Sequence, residues 1–176
     1  DPKRPWKIIL YKEQVPYTQL IFGAYVNWLN VEERNKHIAT NMQNWLKNKG
    51  YINPKIISIN KFEVSEEKTE SNRAVKGSIS FTFMHQPFGD MVFFEEASLE
   101  DVPIAKIRKL IGGTIFKSFF IEAIHDVKGI YVVSGKGYGH GVGMSQWGAS
   151  VMAEKNIDYK NILQFYYPGT EITNIP

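Results

Sequence analysis

The sequence predicts an α+β fold: a small antiparallel meander with one helix, followed by a β-rich region around a glycine-rich loop, with short C-terminal helices. Three observations predict it. A single long helical signature stands in the first half, from Val31 to Lys49. Alternating apolar runs separated by turn residues fill positions 51 to 97, the pattern of strands joined by hairpins. The second half has glycine at alternate positions, Gly135, Gly137, Gly139, Gly141 and Gly143, followed at once by a helical stretch.

The elements follow in order. Trp6 to Tyr11 (WKIILY) suits a short strand, and Pro16 interrupts what comes next. In the helical stretch, Asn30 stands where a cap belongs, Glu32 and Glu33 in the first turn, and Lys47 and Lys49 in the last. Val31, Ile38, Met42, Trp45 and Leu46 share one face, and Gly50 ends the helix. Ile56 to Val64 alternates imperfectly, and the polar stretch Glu66 to Asn72 reads as an exposed connection. Val75, Gly77, Ile79, Phe81 and Phe83 fall on one side of a strand. Pro87 and Gly89 mark a turn before a short strand, Met91 to Phe94. Ile104 to Ile111 suits a short helix ended by Gly112-Gly113. Thr114 to Ile124 and Gly129 to Ser134 suit two strands joined at Asp126 to Gly129. Ser145 opens a helix reaching about Lys155, and Tyr159 to Phe165 forms the last one.

Composition narrows the function classes. Hydrophobic residues make up 43% of the 176, enough apolar matter for a real core, so disorder is not expected. The net charge of +3 is small and spread evenly, with no basic arm, so no nucleic acid partner is expected. No cysteine is present, which removes disulfides, thiol catalysis and thiolate metal sites. No apolar run reaches the length of a membrane helix. The opening Asp1-Pro2-Lys3-Arg4-Pro5 carries neither an initiator Met nor a signal peptide, and reads as a boundary with more sequence upstream.

The stretch Ser134 to Gly148 (SGKGYGHGVGMSQWG) carries the chemistry. Glycine at every second position cannot be a plain strand, because it weakens strands and leaves nothing to pack. Such a run serves close approach of backbone to a ligand or backbone angles that other residues avoid, or else is simply a tight structural crossing. Tyr138, His140, Ser145 and Gln146 within it can all hydrogen-bond a polar ligand. His140 read alone is an ordinary structural histidine before it is a ligand contact. Ser145 reads as a helix cap rather than a nucleophile, since no acid–base partner stands beside it in sequence. Trp147 is either a stacking face or a core residue. The run is neither a phosphate loop nor a dinucleotide fingerprint. His37, His85, His125 and His140 lack metal-ligand spacing, so no metal and no cofactor is expected.

Gly135 to Ile172 (GKGYGHGVGMSQWGASVMAEKNIDYKNILQFYYPGTEI) resembles the C-terminal signature of the stage II sporulation protein D family, which includes the amidase-enhancer proteins of cell walls. The resemblance extends through Ile107-Arg108-Lys109-Leu110-Ile111-Gly112 and Phe116-Lys117-Ser118, and covers roughly residues 99 to 173. Residues 1–98, the helix and meander, resemble the family only vaguely. Residues 99–176 are expected to form part of a glycan groove.

The resemblance implies a lytic transglycosylase acting on peptidoglycan strands freed of their peptide stems. It also implies a cell-wall amidase as partner, and an extracytoplasmic place with a membrane anchor in a missing N-terminal part. A carboxylic acid protonates the leaving glycosidic oxygen, and the sugar's own 6-hydroxyl closes a 1,6-anhydro product. The family's catalytic Glu lies in an upstream Glu-Met-Pro-like segment that has no counterpart here, so the catalytic residue is unassigned. Glu95, Glu96, Glu122 and Glu154 read as ordinary surface or strand-end acids. Tyr138, His140, Ser145, Gln146 and Trp147 are the expected substrate-binding residues. A non-catalytic, wall-binding or amidase-stimulating module is the alternative, and for this chain alone the sequence leaves the choice open.

Overall fold

Alternation sets the first strand. In the computed structural model, which describes residues 4–16, 28–141 and 143–173, β1 (Pro5–Tyr11) buries Trp6, Ile8 and Leu10 and turns Lys7 and Ile9 outward. It pairs antiparallel with β6 (Ile130–Lys136), which in turn pairs antiparallel with β5 (Ile121–Val127), so the three-stranded sheet runs β1-β6-β5. The second sheet is the expected meander, β2 (Lys55–Val64), β3 (Lys76–Phe88) and β4 (Met91–Pro103), in that order.

β3 is the central strand and is covered on both faces. Ile79, Phe81 and Phe83 join the main core, while Met84 packs with Val15, Trp28, Val31 and Ile57 in a smaller one. β4 extends well beyond the short strand expected at Met91 to Phe94. Its edge position explains why: with Glu95, Glu96, Glu100 and Asp101 turned to solvent, no buried alternation marks it.

The first helix is shorter than its pattern. α1 spans Lys36–Lys47 and buries Ile38, Ala39, Met42 and Leu46. Residues 31–35, expected as its first turn, are not helical. Glu33 is buried there and accepts from the Ile56 backbone N–H at 3.0 Å and from the Gln43 side-chain amide. Asn35, not Asn30, stands at the cap position, and its side chain makes no helix cap. It holds β1 instead: Oδ1 accepts from Tyr11 N–H at 2.9 Å and Nδ2 donates to the Ile9 carbonyl at 2.9 Å. Tertiary bonding has overridden a plausible local signal.

α2 has its expected bounds, Ile104–Ile111, and buries Ile104, Ile107, Leu110 and Ile111. The strand expected from Thr114 is realised only from Ile121. Arg108 is the cause: its Nε donates to the Phe116 carbonyl at 2.7 Å and its guanidinium to the Gly113 carbonyl at 3.0 Å. These bonds occupy acceptors that a strand ladder needs, and Phe116 is fully buried beside Trp6, ring centroids 5.6 Å apart. The chain closes with α3 (Gln146–Glu154) and α4 (Tyr159–Tyr166). Among the described residues no helix is long and apolar enough to cross a membrane.

Candidate functional site

Past β6 the glycine run leaves the sheet and is laced between two other segments. Gly137 N–H donates to the Arg4 carbonyl at 2.9 Å, and Gly139 N–H to the Lys117 carbonyl at 2.7 Å. Ser118, buried, anchors this junction: it accepts from the Trp6 indole N–H at 3.0 Å and donates to the Lys136 carbonyl. Gly137, Gly139, Gly141 and Gly143 all have φ between 77° and 103°. Every second residue therefore sits in the left-handed region that side chains avoid, which is why the sequence carries glycine at that spacing.

The loop's far side is held by the C-terminal hairpin. Ser145 caps α3, its Oγ accepting from Gly148 N–H at 3.0 Å. Asp158 caps α4, accepting from Lys160 N–H at 2.8 Å. The Tyr167 hydroxyl accepts from Met144 N–H at 3.1 Å, and the Tyr166 hydroxyl lies so close to Gly148 that an added Cβ there would overlap it. The Tyr166-Tyr167 pair thus fixes the approach of α4 to the loop.

These constraints leave a cavity of about 700 Å³ lined by Arg4, Pro5, Lys117, Gly137, Tyr138 and Trp147. Tyr138 and Trp147 are 68% and 66% exposed, so Trp147 is a surface ring and not a core residue. His140, Ser145 and Gln146 are also exposed but stand outside the lining. Ser145 is engaged as a cap. Sequence reasoning missed Arg4, Lys117 and Arg73. Arg73 comes from the β2–β3 connection and lies against Gly141, with its buried Nε lacking a hydrogen-bond partner among the described residues. For Lys117 a signal existed, in the Phe116-Lys117-Ser118 stretch; for Arg4 and Arg73, brought in by long-range packing, none did.

The acids sit elsewhere. Glu122 pairs with Lys136. Glu95 accepts from the Tyr51 hydroxyl at 3.1 Å and lies 2.7 Å from His85 Nε2. The Glu95 hydrogen bond, aided by desolvation, pushes the Tyr51 hydroxyl above the ordinary tyrosine pKa. Among the described residues no carboxylate lines the cavity, and no group of three His, Asp or Glu side chains could hold a metal ion.

No family model matches the chain. Individual proteins do. The amidase enhancer of Bacillus subtilis is 34% identical over 178 aligned positions, which take in 99% of this chain and 25% of that protein. Stage II sporulation protein D of Bacillus amyloliquefaciens is 47% identical over 45 residues, 26% of this chain and 13% of that protein. Its namesake in Bacillus subtilis is 49% identical over 41 residues, 23% of this chain and 12% of that protein. The chain thus spans about a quarter of the length of the relative it matches throughout. Along its whole length this chain is a relative of the amidase enhancer, and in part of stage II sporulation protein D, the family that its glycine-rich signature resembles.

Proposed function

We propose that this chain is a glycan-holding part of a peptidoglycan lytic transglycosylase working outside the cytoplasm in cell-wall remodelling during sporulation. The observation that carries the reading is the open cavity in which the exposed rings of Tyr138 and Trp147 stand beside the glycine loop. Sugar rings have apolar CH faces and hydroxyl rims. Exposed aromatic rings take the first, and nearby donors and acceptors take the second. His140, Ser145 and Gln146, on the same exposed run, extend the polar contacts along a strand.

In such an enzyme a carboxylic acid protonates the glycosidic oxygen as its bond to the anomeric carbon breaks. The resulting carboxylate takes the proton of the 6-hydroxyl as that oxygen attacks the anomeric carbon. With no carboxylate in the described lining, this chain holds the strand, and the proton donor belongs to another part of the protein. The whole-length match to a protein named amidase enhancer favours a second reading, a wall-binding module that stimulates a partner amidase.

Titration with stem-free glycan oligomers tests the proposal. The chain is expected to bind them without releasing anhydro sugars. Trp147→Ala removes about 50 Å² of ring from a sugar face, worth about 1.2 kcal/mol at roughly 25 cal/mol per Å². That is roughly an eightfold loss of affinity. No binding by the folded chain would overturn the glycan reading. Anhydro products from the chain alone would place an acid inside it, and faster amidase release on intact wall would favour the stimulating module.

A further inference from the structure

We infer that Arg4 and Lys117 make this cavity selective for an acidic sugar, with the ring on Tyr138 and Trp147 and a carboxylate between the cations. The inference rests on the reading of the cavity as a glycan site and adds what it selects. Three observations carry it.

The first is placement. Arg4 is bonded through its carbonyl to Gly137 N–H, and Lys117 through its carbonyl to Gly139 N–H. The residue between those two attachment points is Tyr138. The two residues are therefore attached to the loop on either side of Tyr138, and both line the cavity with it.

The second is that neither cation has an ion-pair partner among the described residues, so no described acid already neutralises either charge. The third is the absence of any carboxylate from the described lining. Two like charges held on one cavity wall repel each other, and an anion arriving there relieves that repulsion. A neutral oligosaccharide takes hydrogen bonds from the two heads but gains no charge–charge attraction. In peptidoglycan the sugar with a free carboxylate is N-acetylmuramic acid whose lactyl group has lost its peptide. Arg4 and Lys117 are thus specificity-determining residues for strands in that state.

The test compares two length-matched probes on the whole chain: neutral oligomers of N-acetylglucosamine, and glycan oligomers bearing a free lactyl carboxylate on every second sugar. Exposed charge pairs are individually weak, so two together are expected to favour the acidic probe by about tenfold at low salt. The preference should shrink in high salt, since screening acts on exposed charges. Converting the lactyl carboxylates to amides should abolish it while leaving shape nearly unchanged. The double variant Arg4→Gln with Lys117→Gln should bind both probes alike, at the affinity of the wild type for the neutral one. Lys117→Arg should keep the preference.

Equal affinity of the wild type for both probes would overturn the inference and leave the glycan reading standing. Binding of neither would overturn that reading, and this one with it. A double variant that is folded by circular dichroism yet keeps the preference would assign the selectivity to other residues and overturn the inference.

Discussion

A methyl group added at Gly135 has nowhere to go. It would overlap both the Phe120 carbonyl oxygen and the Trp6 indole, near the C-terminal end of β6. Neither neighbour is a flexible chain end, since Trp6 is buried and bonded to Ser118. Gly135→Ala is therefore expected to cost about 3 kcal/mol, the upper part of the range for overpacking. In a chain of this size that corresponds to roughly 6–12 °C in Tm, which calorimetry would read. A loss below about 1 kcal/mol would mean that the sheet moves aside.

Gly137 and Gly139 are glycines for another reason, their left-handed φ of 77° and 87°. The sequence made both uses of glycine visible, close approach and unusual backbone angles, but could not say which applied where. That depends on Trp6 and Phe120, which are distant in the chain. The same limit governs Glu33 and Asn35, whose local signal of a helix start was overridden by bonds to Ile56 and β1.

At the scale of elements, the C-terminal hairpin is held differently from the rest. α3 buries no side chain, and α4 buries only Ile162. What fixes them is caps and hydroxyls: Ser145 on α3, Asp158 on α4, Tyr167 on the loop. Elements with little buried apolar surface open locally at low cost. Ser145→Ala should therefore remove about 1 kcal/mol from α3, raising amide exchange there roughly fivefold, with Tm hardly altered. Hydrogen exchange read by mass spectrometry distinguishes this from a Tm loss of several degrees, which would make the hairpin part of the cooperative unit. The cap was legible, because serine before a helical run is a strong local signal. The exposure of α3 was not. Trp147, Val151 and Met152 look apolar in sequence, and only the tertiary arrangement leaves Trp147 and Val151 at the surface.

At the scale of the molecule, the two halves of the chain share one core. Trp6, Ile8 and Leu10 of β1 and Ile79 and Phe81 of β3 pack in the same cluster as Ile107 and Leu110 of α2, Phe116, and Tyr131 and Val133 of β6. Among the described residues β1 takes its sheet partner from the second half, Pro5 opposite Lys136 through Tyr11 opposite Ile130. The first half's hairpins were legible because strand and partner are neighbours in sequence. The β1–β6 pairing was not, because no local pattern encodes a contact across nearly the whole chain. It is this pairing that brings Arg4 to the glycine loop. The cavity accordingly exists only when both halves are present. Expressed separately, 1–98 and 99–176 are each expected to lack a fixed tertiary structure. The cut falls inside β4, and it strips β6 of β1 and α2 of β3. Mixing the fragments should restore dispersed amide resonances and glycan binding together. A fragment 99–176 that folds and binds glycan alone would show that the signature region needs neither β1 nor Arg4, and would move the site away from the cavity described.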